Sequence, residues 1–138
     1  MDADGTNVLP LVVDASVTDT GPVFSPDGTR IAFNRDPSGV GSTPDVWVMN
    51  ADGTNKQRID PFTDPGTGGD SVMDKPLGWS PDGTKIAFGS YADQNKVAIL
   101  TLADSSIVKH SAGCSDCNGE TNFLSWSPDG AKILIRCG

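Results

Sequence analysis

The residues best suited to chemistry in this 138-residue chain are three cysteines and a single histidine. Cys114 and Cys117 form a Cys-Ser-Asp-Cys pair in a Gly-containing segment, His110 precedes the pair, and Cys137 is next to last. One His and three Cys could bind zinc, and the spacing of the short pair fits such a site. Structural zinc sites usually contain two short pairs, however. We therefore predict a Cys114–Cys117 disulfide, with zinc binding and free thiols as alternatives, and assign no metal and no cofactor.

Hydrolytic catalysis is not supported by the residues present. A Ser-His-Asp triad needs a histidine base, and His110 is the one candidate in the sequence. The sequence also lacks the Gly-x-Ser-x-Gly elbow that presents a nucleophilic serine. We therefore assign no catalytic residue, and interpret His110 as a solvated side chain.

The elements that position these residues are repeats. Three copies of one ten-residue motif occur, Phe-Ser-Pro-Asp-Gly-Thr-Arg-Ile-Ala-Phe at 24–33, Trp-Ser-Pro-Asp-Gly-Thr-Lys-Ile-Ala-Phe at 79–88 and Trp-Ser-Pro-Asp-Gly-Ala-Lys-Ile-Leu-Ile at 126–135. The copies are spaced by roughly 50 residues, which is closer to the period of propeller blades than to that of the shorter helical repeats. The period alone therefore favours a β-propeller.

The chemistry of the motif predicts a hairpin. Proline sets φ for the first corner of a type I turn, Asp tolerates the second corner, and Gly accepts the left-handed conformation that returns the chain to a strand. The run that follows, Lys85 to Phe88 in the second copy, has apolar residues on both faces. Such a strand is typical of a sheet packed between two neighbours.

A second motif recurs out of phase with the first. Asp45 to Asn55 reads as a strand that closes in an Asp-Gly turn, Met1 to Asn7 repeats the end of this motif, and Lys96 to Asp104 is a degenerate copy. Naming the strands of a blade a to d from the axis outward, we predict one all-β domain over residues 1–138. It contains an outer strand at Val8 to Val13 within residues 1–13, full four-stranded antiparallel blades at 22–59 and 76–109, and two inner strands at 122–137.

These motifs resemble the TolB-type β-propeller repeat, a WD-like repeat. Its hallmarks are an aromatic residue before Ser-Pro-Asp-Gly, a short Lys/Arg-Ile-Ala-Phe strand, and a strand that ends in Met-x-x-Asp-Gly. The resemblance covers nearly the whole chain, with departures at Phe24, at Ala131 and in the turn at Asp104. It implies about three blades of a partial propeller, a role in docking protein partners, and a periplasmic or secreted parent protein.

Composition narrows the range of partners. The chain carries a formal net charge of −8, and its acidic residues are almost all Asp. Nucleic acids and anionic membrane surfaces bind clustered Lys and Arg, which this sequence lacks. No run of apolar residues is long enough to cross a bilayer, and the N-terminus does not read as a signal peptide. We expect neither nucleic-acid binding nor membrane insertion, and the cellular location stays open.

The connections between the strands differ at the two ends of each predicted blade. Antiparallel order places the a-b and c-d turns, which are short and alike, at one end. The other end carries longer connections, all different and rich in acidic residues, and such loops on a rigid scaffold are the usual place for binding. We predict that this end is either a solvated acidic face or a surface for a basic protein or a divalent cation. The candidate binding residues are Asp36, Asp60, Asp64, Asp70, Asp74 and Asp93.

Three classes of function are compatible with this sequence. The favoured one is a non-catalytic scaffold for protein–protein interaction, and the alternative is the propeller portion of a larger periplasmic or peptidase-type enzyme with catalysis on another domain. A propeller lyase is disfavoured because it would need several histidines around a metal. A complete propeller has about four to eight blades. We therefore expect either a homodimer that forms a six-bladed ring or a fragment of a longer propeller.

Overall fold

The fold is built from β-strands. The computed structural model describes residues 16–36, 45–59, 72–90, 96–111 and 121–137, together with Thr6, Pro10, Leu11 and Asp14. No helix occurs within these ranges, which confirms the all-β prediction for the described chain. The strands are β1 (Thr18–Phe24), β2 (Arg30–Asp36), β3 (Asp45–Asn50), β4 (Gln57–Arg58), β5 (Val72–Trp79), β6 (Lys85–Ser90), β7 (Lys96–Thr101), β8 (Ile107–Ser111), β9 (Thr121–Trp126) and β10 (Ile133–Cys137).

The strands form three antiparallel sheets. The first sheet has the order β1-β2-β3-β4 and the second has the order β5-β6-β7-β8. In the third sheet β9 pairs with β10. Neighbours in each sheet follow one another along the chain, as expected for a meander. The two four-stranded antiparallel sheets agree with the predicted fold class, and the predicted bounds of the blades stay a prediction.

The main core lies between the first and second sheets. Ala32 and Val46 of the first sheet pack there with Ile86, Phe88 and other side chains of the second sheet, all of them nearly inaccessible to solvent. Along a strand alternate residues point to opposite faces. The other face of the first sheet therefore carries a separate cluster, formed by Ile31, Phe33, Met49 and Trp47. The Ile-Ala-Phe run thus serves two interfaces at once.

The turn between β3 and β4 lies close to the backbone of Leu11. Gly53 has a φ of +84°, and a Cβ atom at this position would lie 2.8 Å from the carbonyl oxygen of Leu11. Both the backbone conformation and the space therefore require glycine. Leu11 and Pro10 are the described part of the outer strand predicted at Val8 to Val13, and that strand stays a prediction.

Candidate functional site

Each Ser-Pro-Asp-Gly copy folds into a turn that is organised by its serine hydroxyl. In the first copy the Ser25 hydroxyl donates to Asp27 Oδ1 (2.6 Å) and accepts a hydrogen bond from the Arg30 N–H (3.0 Å). The Gly28 N–H donates to the Ser25 carbonyl (2.8 Å), with Gly28 at a φ of +69°. The same bonds join Ser80 to Asp82 and Lys85, and Ser127 to Asp129 and Lys132. The repeated serines are therefore turn residues, as predicted.

The carboxylates of the aspartates in these turns accept hydrogen bonds from residues of the same turn. The Ser25 hydroxyl, together with the N–H and hydroxyl of Thr29, lowers the pKa of Asp27 to about 2. Ser80 and Thr84 do the same for Asp82, whose pKa is also lowered to about 2. A carboxylate that accepts several hydrogen bonds is stabilised in its charged form. This end of the sheets thus consists of short turns whose polar groups bond to one another.

Tryptophans at the motif's first position join successive sheets. The Trp79 Nε1–H donates to the Val23 carbonyl of the first sheet (3.1 Å), and the Trp126 Nε1–H donates to the Gly78 carbonyl of the second (3.1 Å). Each acceptor is the residue that precedes the aromatic position in the preceding copy. Phe24 holds that position in the first copy, and it is 60% exposed. The sequence showed the recurrence of Trp, but not what it binds.

A basic residue at the end of the motif's turn makes a second contact between sheets. Arg30 Nη2 donates to the Gly83 carbonyl (2.9 Å), and the guanidinium lies 4.8 Å from the centre of the Trp79 ring. Arginine suits this position because its planar group can donate to a carbonyl and stack on an aromatic face together. Nothing in the sequence pattern indicates this role.

The connections that differ from one another lie at the opposite end of the sheets. In the first sheet Thr18 pairs with Asp36 and Arg35 pairs with Asp45, at the strand ends remote from the Ser-Pro-Asp-Gly turns. In the second sheet Lys96 pairs with Ser111 at the same end. We call this end of the sheets the loop end. The described strands therefore separate a turn end from a loop end, as the antiparallel order predicts.

The acidic character of the loop end is partly neutralised by arginine. Asp19 receives two hydrogen bonds from Arg35, from Nε at 2.7 Å and from Nη2 at 2.8 Å. The Arg35 guanidinium also lies 5.0 Å from the centre of the Trp47 ring. The hydrogen bond to Asp19 raises the pKa of Arg35. A second ion pair joins Arg58 to Asp45 at 3.0 Å. Asp19 thus lies in β1, where its charge is paired with that of Arg35.

Of the six predicted binding residues, two lie in described strands and four lie outside the described residues. Asp36 ends β2 at the loop end. The sequence predicts a loop at Asp74, ahead of a blade that begins at about residue 76. This prediction is wrong, because β5 begins at Val72 and Asp74 lies within it. The pairing register of β5 shifts on both sides of Pro76, and such irregularities let a strand continue past a proline. The remaining four candidates, Asp60, Asp64, Asp70 and Asp93, lie outside the described residues.

The predicted cysteine chemistry also falls largely outside the described chain. Cys114 and Cys117 lie in the undescribed segment 112–120, so their disulfide stays a prediction. Cys137 is the last residue of β10, and His110 is an exposed residue of β8. Among the residues that the structure describes, no group of three or more His, Cys, Asp or Glu side chains could hold a metal ion. Nor does any described helix have the length and apolarity needed to cross a bilayer.

A groove separates the outer half of the second sheet from the third sheet. Its volume is about 410 Å³, and we call it the β10 groove. Its apolar lining comes from β7 on one side and from β9 and β10 on the other. The residues that define it are Val97, Ile99, His110, Trp126, Ile133 and Ile135.

Comparison with known proteins supports the assignment of the fold. No family model matches the chain. A solved structure from Agrobacterium tumefaciens, provisionally assigned as TolB, is 27% identical in sequence, has a TM-score of 0.64 and aligns with 99% of this chain. The chain therefore has the fold of a TolB-like β-propeller. The TolB-like chain covers 48% of the A. tumefaciens protein, so it spans about half the length of that structure.

Proposed function

We propose that this TolB-like chain is a non-catalytic scaffold that binds a protein partner at the loop end of its sheets. The observation that carries the proposal is the difference between the two ends. At the turn end, Asp27 and Asp82 are occupied by hydrogen bonds within their own turns. The loop end carries the long and dissimilar connections, and binding residues concentrate in such loops.

A partner with a basic surface fits this end. The chain has a net charge of −8, and the connection 60–71 between β4 and β5 contains Asp60, Asp64 and Asp70 but no Lys or Arg. Asp19 adds little negative potential because Arg35 pairs with it. Complementary charge mainly speeds association and selects the partner. The attraction between the charges weakens as the salt concentration rises. The proposed complex should therefore be sensitive to ionic strength.

The test compares two sets of charge removals in the full chain. Asp60→Asn, Asp64→Asn and Asp70→Asn together remove three charges from the proposed site. Asp52→Asn, Asp104→Asn and Asp2→Asn remove three charges elsewhere. A partner isolated from the source cells on the wild-type chain should bind the first variant at least tenfold more weakly and the second within about twofold of wild type. Equal binding by both variants would refute the assignment of the loop end.

We further propose that two copies close head to tail into a six-bladed ring. The proposal is supported by the length of the chain, which spans 48% of a solved structure with the same fold, so two copies have about the length of that structure. A head-to-tail contact closes when the rotation between copies permits it. Light scattering at low micromolar concentration should give the mass of two chains, and deletion of Met1 to Val13 should give the mass of one. A folded, soluble wild-type monomer would exclude the ring.

A further inference from the structure

Four Asp-Gly pairs lie in turns that the structure describes, and they begin at Asp27, Asp52, Asp82 and Asp129. Such a pair converts to isoaspartate without an enzyme, because glycine has no side chain to hinder its own backbone nitrogen. The nitrogen bonds to the aspartate Cγ, and the carboxyl hydroxyl leaves with the amide proton as water. Water then opens the resulting succinimide at either carbonyl, to aspartate or to isoaspartate. The carboxyl reacts in its protonated form, so hydrogen bonds that stabilise the carboxylate slow the reaction.

The attacking nitrogen is held in the same way in the three Ser-Pro-Asp-Gly turns. The N–H groups of Gly28, Gly83 and Gly130 donate to the carbonyl of the serine three residues earlier, at 2.8, 2.8 and 2.9 Å. The φ values of these glycines are +69°, +68° and +70°. A difference in reactivity between the three turns must therefore come from the carboxylates.

The three carboxylates differ by one hydrogen bond. Asp27 and Asp82 each accept from a serine hydroxyl and from both the N–H and the hydroxyl of the threonine two residues later. These bonds lower the pKa of both aspartates from 3.8 to about 2. Asp129 accepts from a serine hydroxyl and from the N–H of Ala131, which has no hydroxyl to donate. The charged form of Asp129 is therefore stabilised by one donor fewer.

The fourth pair, at Asp52, also has two donors but less room. Its carboxylate accepts from the N–H and the hydroxyl of Thr54. A Cβ atom on Gly53 would lie 2.8 Å from the Leu11 carbonyl oxygen, whereas one on Gly130 would meet a side-chain carbon of Pro81 at 3.6 Å, which is ordinary contact. Formation of the succinimide rotates the backbone next to the glycine, and isoaspartate lengthens that backbone by one methylene. The turn at Gly53 therefore resists the reaction more than the turn at Gly130.

We propose that Asp129 is a site of spontaneous isoaspartate formation, the fastest of the four described Asp-Gly pairs, and that the threonine hydroxyls of the other motif copies protect Asp27 and Asp82. The product carries its carboxylate on the main-chain carbon and one more methylene in the backbone. It therefore loses the bonds that Ser127 and Ala131 donate to Asp129, and the turn between β9 and β10 loosens. This site lies at the turn end, so the proposal does not depend on binding at the loop end.

Ageing of the full chain provides the first test. The folded protein is incubated at mildly acidic pH below its unfolding temperature, and peptide mapping by chromatography and mass spectrometry measures isoaspartate at each Asp-Gly pair. Asp129 should convert about twofold to tenfold faster than Asp27 or Asp82, as one lost hydrogen bond predicts. In urea the three sites should convert at similar rates, because their neighbours in the sequence are alike. The proposal is overturned if Asp129 is not the fastest site in the folded chain, or if it leads by the same factor in urea.

Reciprocal variants test the role of the hydroxyl. Ala131→Thr adds the missing donor and should slow conversion of Asp129 to the rate measured at Asp82. Thr84→Ala recreates the third copy of the motif in the second sheet and should speed conversion of Asp82 about twofold to tenfold. Thr84→Ser keeps the hydroxyl and should leave the rate at Asp82 unchanged. Unchanged rates in Ala131→Thr and Thr84→Ala would overturn the proposal.

Asp27 serves as an internal control in the same molecule. A local effect of Thr84→Ala raises the rate at Asp82 and leaves the rate at Asp27 unchanged, which supports the proposal. A general loosening of the fold raises both rates together, and in that case the hydroxyl is not protective and the proposal is wrong. Circular dichroism establishes that each variant is folded at the temperature of incubation.

Discussion

The Trp79 indole donates its Nε1–H to the Val23 carbonyl, 3.1 Å away in the preceding sheet. Trp79 is 7% exposed, so its indole cannot easily exchange this bond for one to water. The equivalent bond from Trp126 to Gly78 joins the next pair of sheets. The indole Nε1–H at the first position of the motif thus joins the second and third sheets to the sheet before each of them.

Replacing Trp79 by Phe should lower the free energy of unfolding by about 1 to 3 kcal/mol, because the Val23 carbonyl loses its donor and some contact area is lost. Phenylalanine is a fair replacement, since Phe24 occupies this position in the first copy. Urea unfolding followed by far-ultraviolet circular dichroism measures the change. Phe24→Leu, at an exposed position, should cost less than 1 kcal/mol. A Trp79→Phe midpoint equal to that of wild type would show that the bond contributes nothing.

Gly83→Val should destabilise the protein more than Thr84→Val. Gly83 has a φ of +68°, and a Cβ there would meet the Arg30 Nη2 at 3.6 Å, which is ordinary contact. The cost is therefore conformational, on the order of 1 to 3 kcal/mol. Thr84→Val loses only a hydroxyl bond to Asp82 at an exposed site. Urea midpoints measure both effects.

Gly28→Val is a further control for the same turn. Gly28 has a φ of +69°, and a Cβ there would meet nothing within 4 Å. Its cost should therefore match that of Gly83→Val. If Gly28→Val were harmless, packing rather than φ would explain any loss at Gly83.

Stability should fall as the pH drops from about 4 to 2. Asp27 and Asp82 have pKa values lowered from 3.8 to about 2 by hydrogen bonds within the fold. A group whose pKa is lower in the folded state stabilises the protein above its unfolded pKa, and this contribution is lost as the pH falls through the folded pKa. Urea midpoints between pH 2 and 5 should therefore decline toward acid, and the double variant Asp27→Asn, Asp82→Asn should show a smaller decline.

Asp129 provides an internal comparison for the pH effect. The pKa of Asp129 is lowered by hydrogen bonds from the Ser127 hydroxyl and the Ala131 N–H. Alanine has no side-chain hydroxyl, so the third hydrogen bond that threonine donates in the other two turns is missing here. Asp129→Asn should therefore reduce the acid decline less than Asp82→Asn does. An equal reduction would show that the threonine hydroxyl is unimportant.

Arg30→Lys should destabilise the protein by about 1 kcal/mol, because an ammonium group cannot both stack on Trp79 and donate to the Gly83 carbonyl as a guanidinium does. Arg58→Lys is the control, since its ion pair with Asp45 is more exposed and should contribute less. Urea unfolding at low and high salt distinguishes the two. An equal loss in both variants would argue against a special role for Arg30.

The sequence by itself determined the local structure of this protein. Ser-Pro-Asp-Gly requires one turn, because proline sets φ and Gly28 and Gly83 accept positive φ. The recurrence of that turn with its apolar strand predicted antiparallel sheets of the TolB type, which the structure and its A. tumefaciens neighbour confirm. These features could be predicted because each depends on residues that are close together in the sequence.

The tertiary structure decided the contacts between residues that are far apart in the sequence. The bonds of Trp79 to Val23 and of Arg30 to Gly83 depend on how one sheet packs on the next. The ion pair of Asp19 with Arg35 depends on the pairing register of β1 and β2, which places the two residues opposite each other. The β10 groove likewise exists because the third sheet leaves the outer half of the second uncovered among the described residues. Sequence spacing carries no information on such distances, since they are set by the packing of whole sheets.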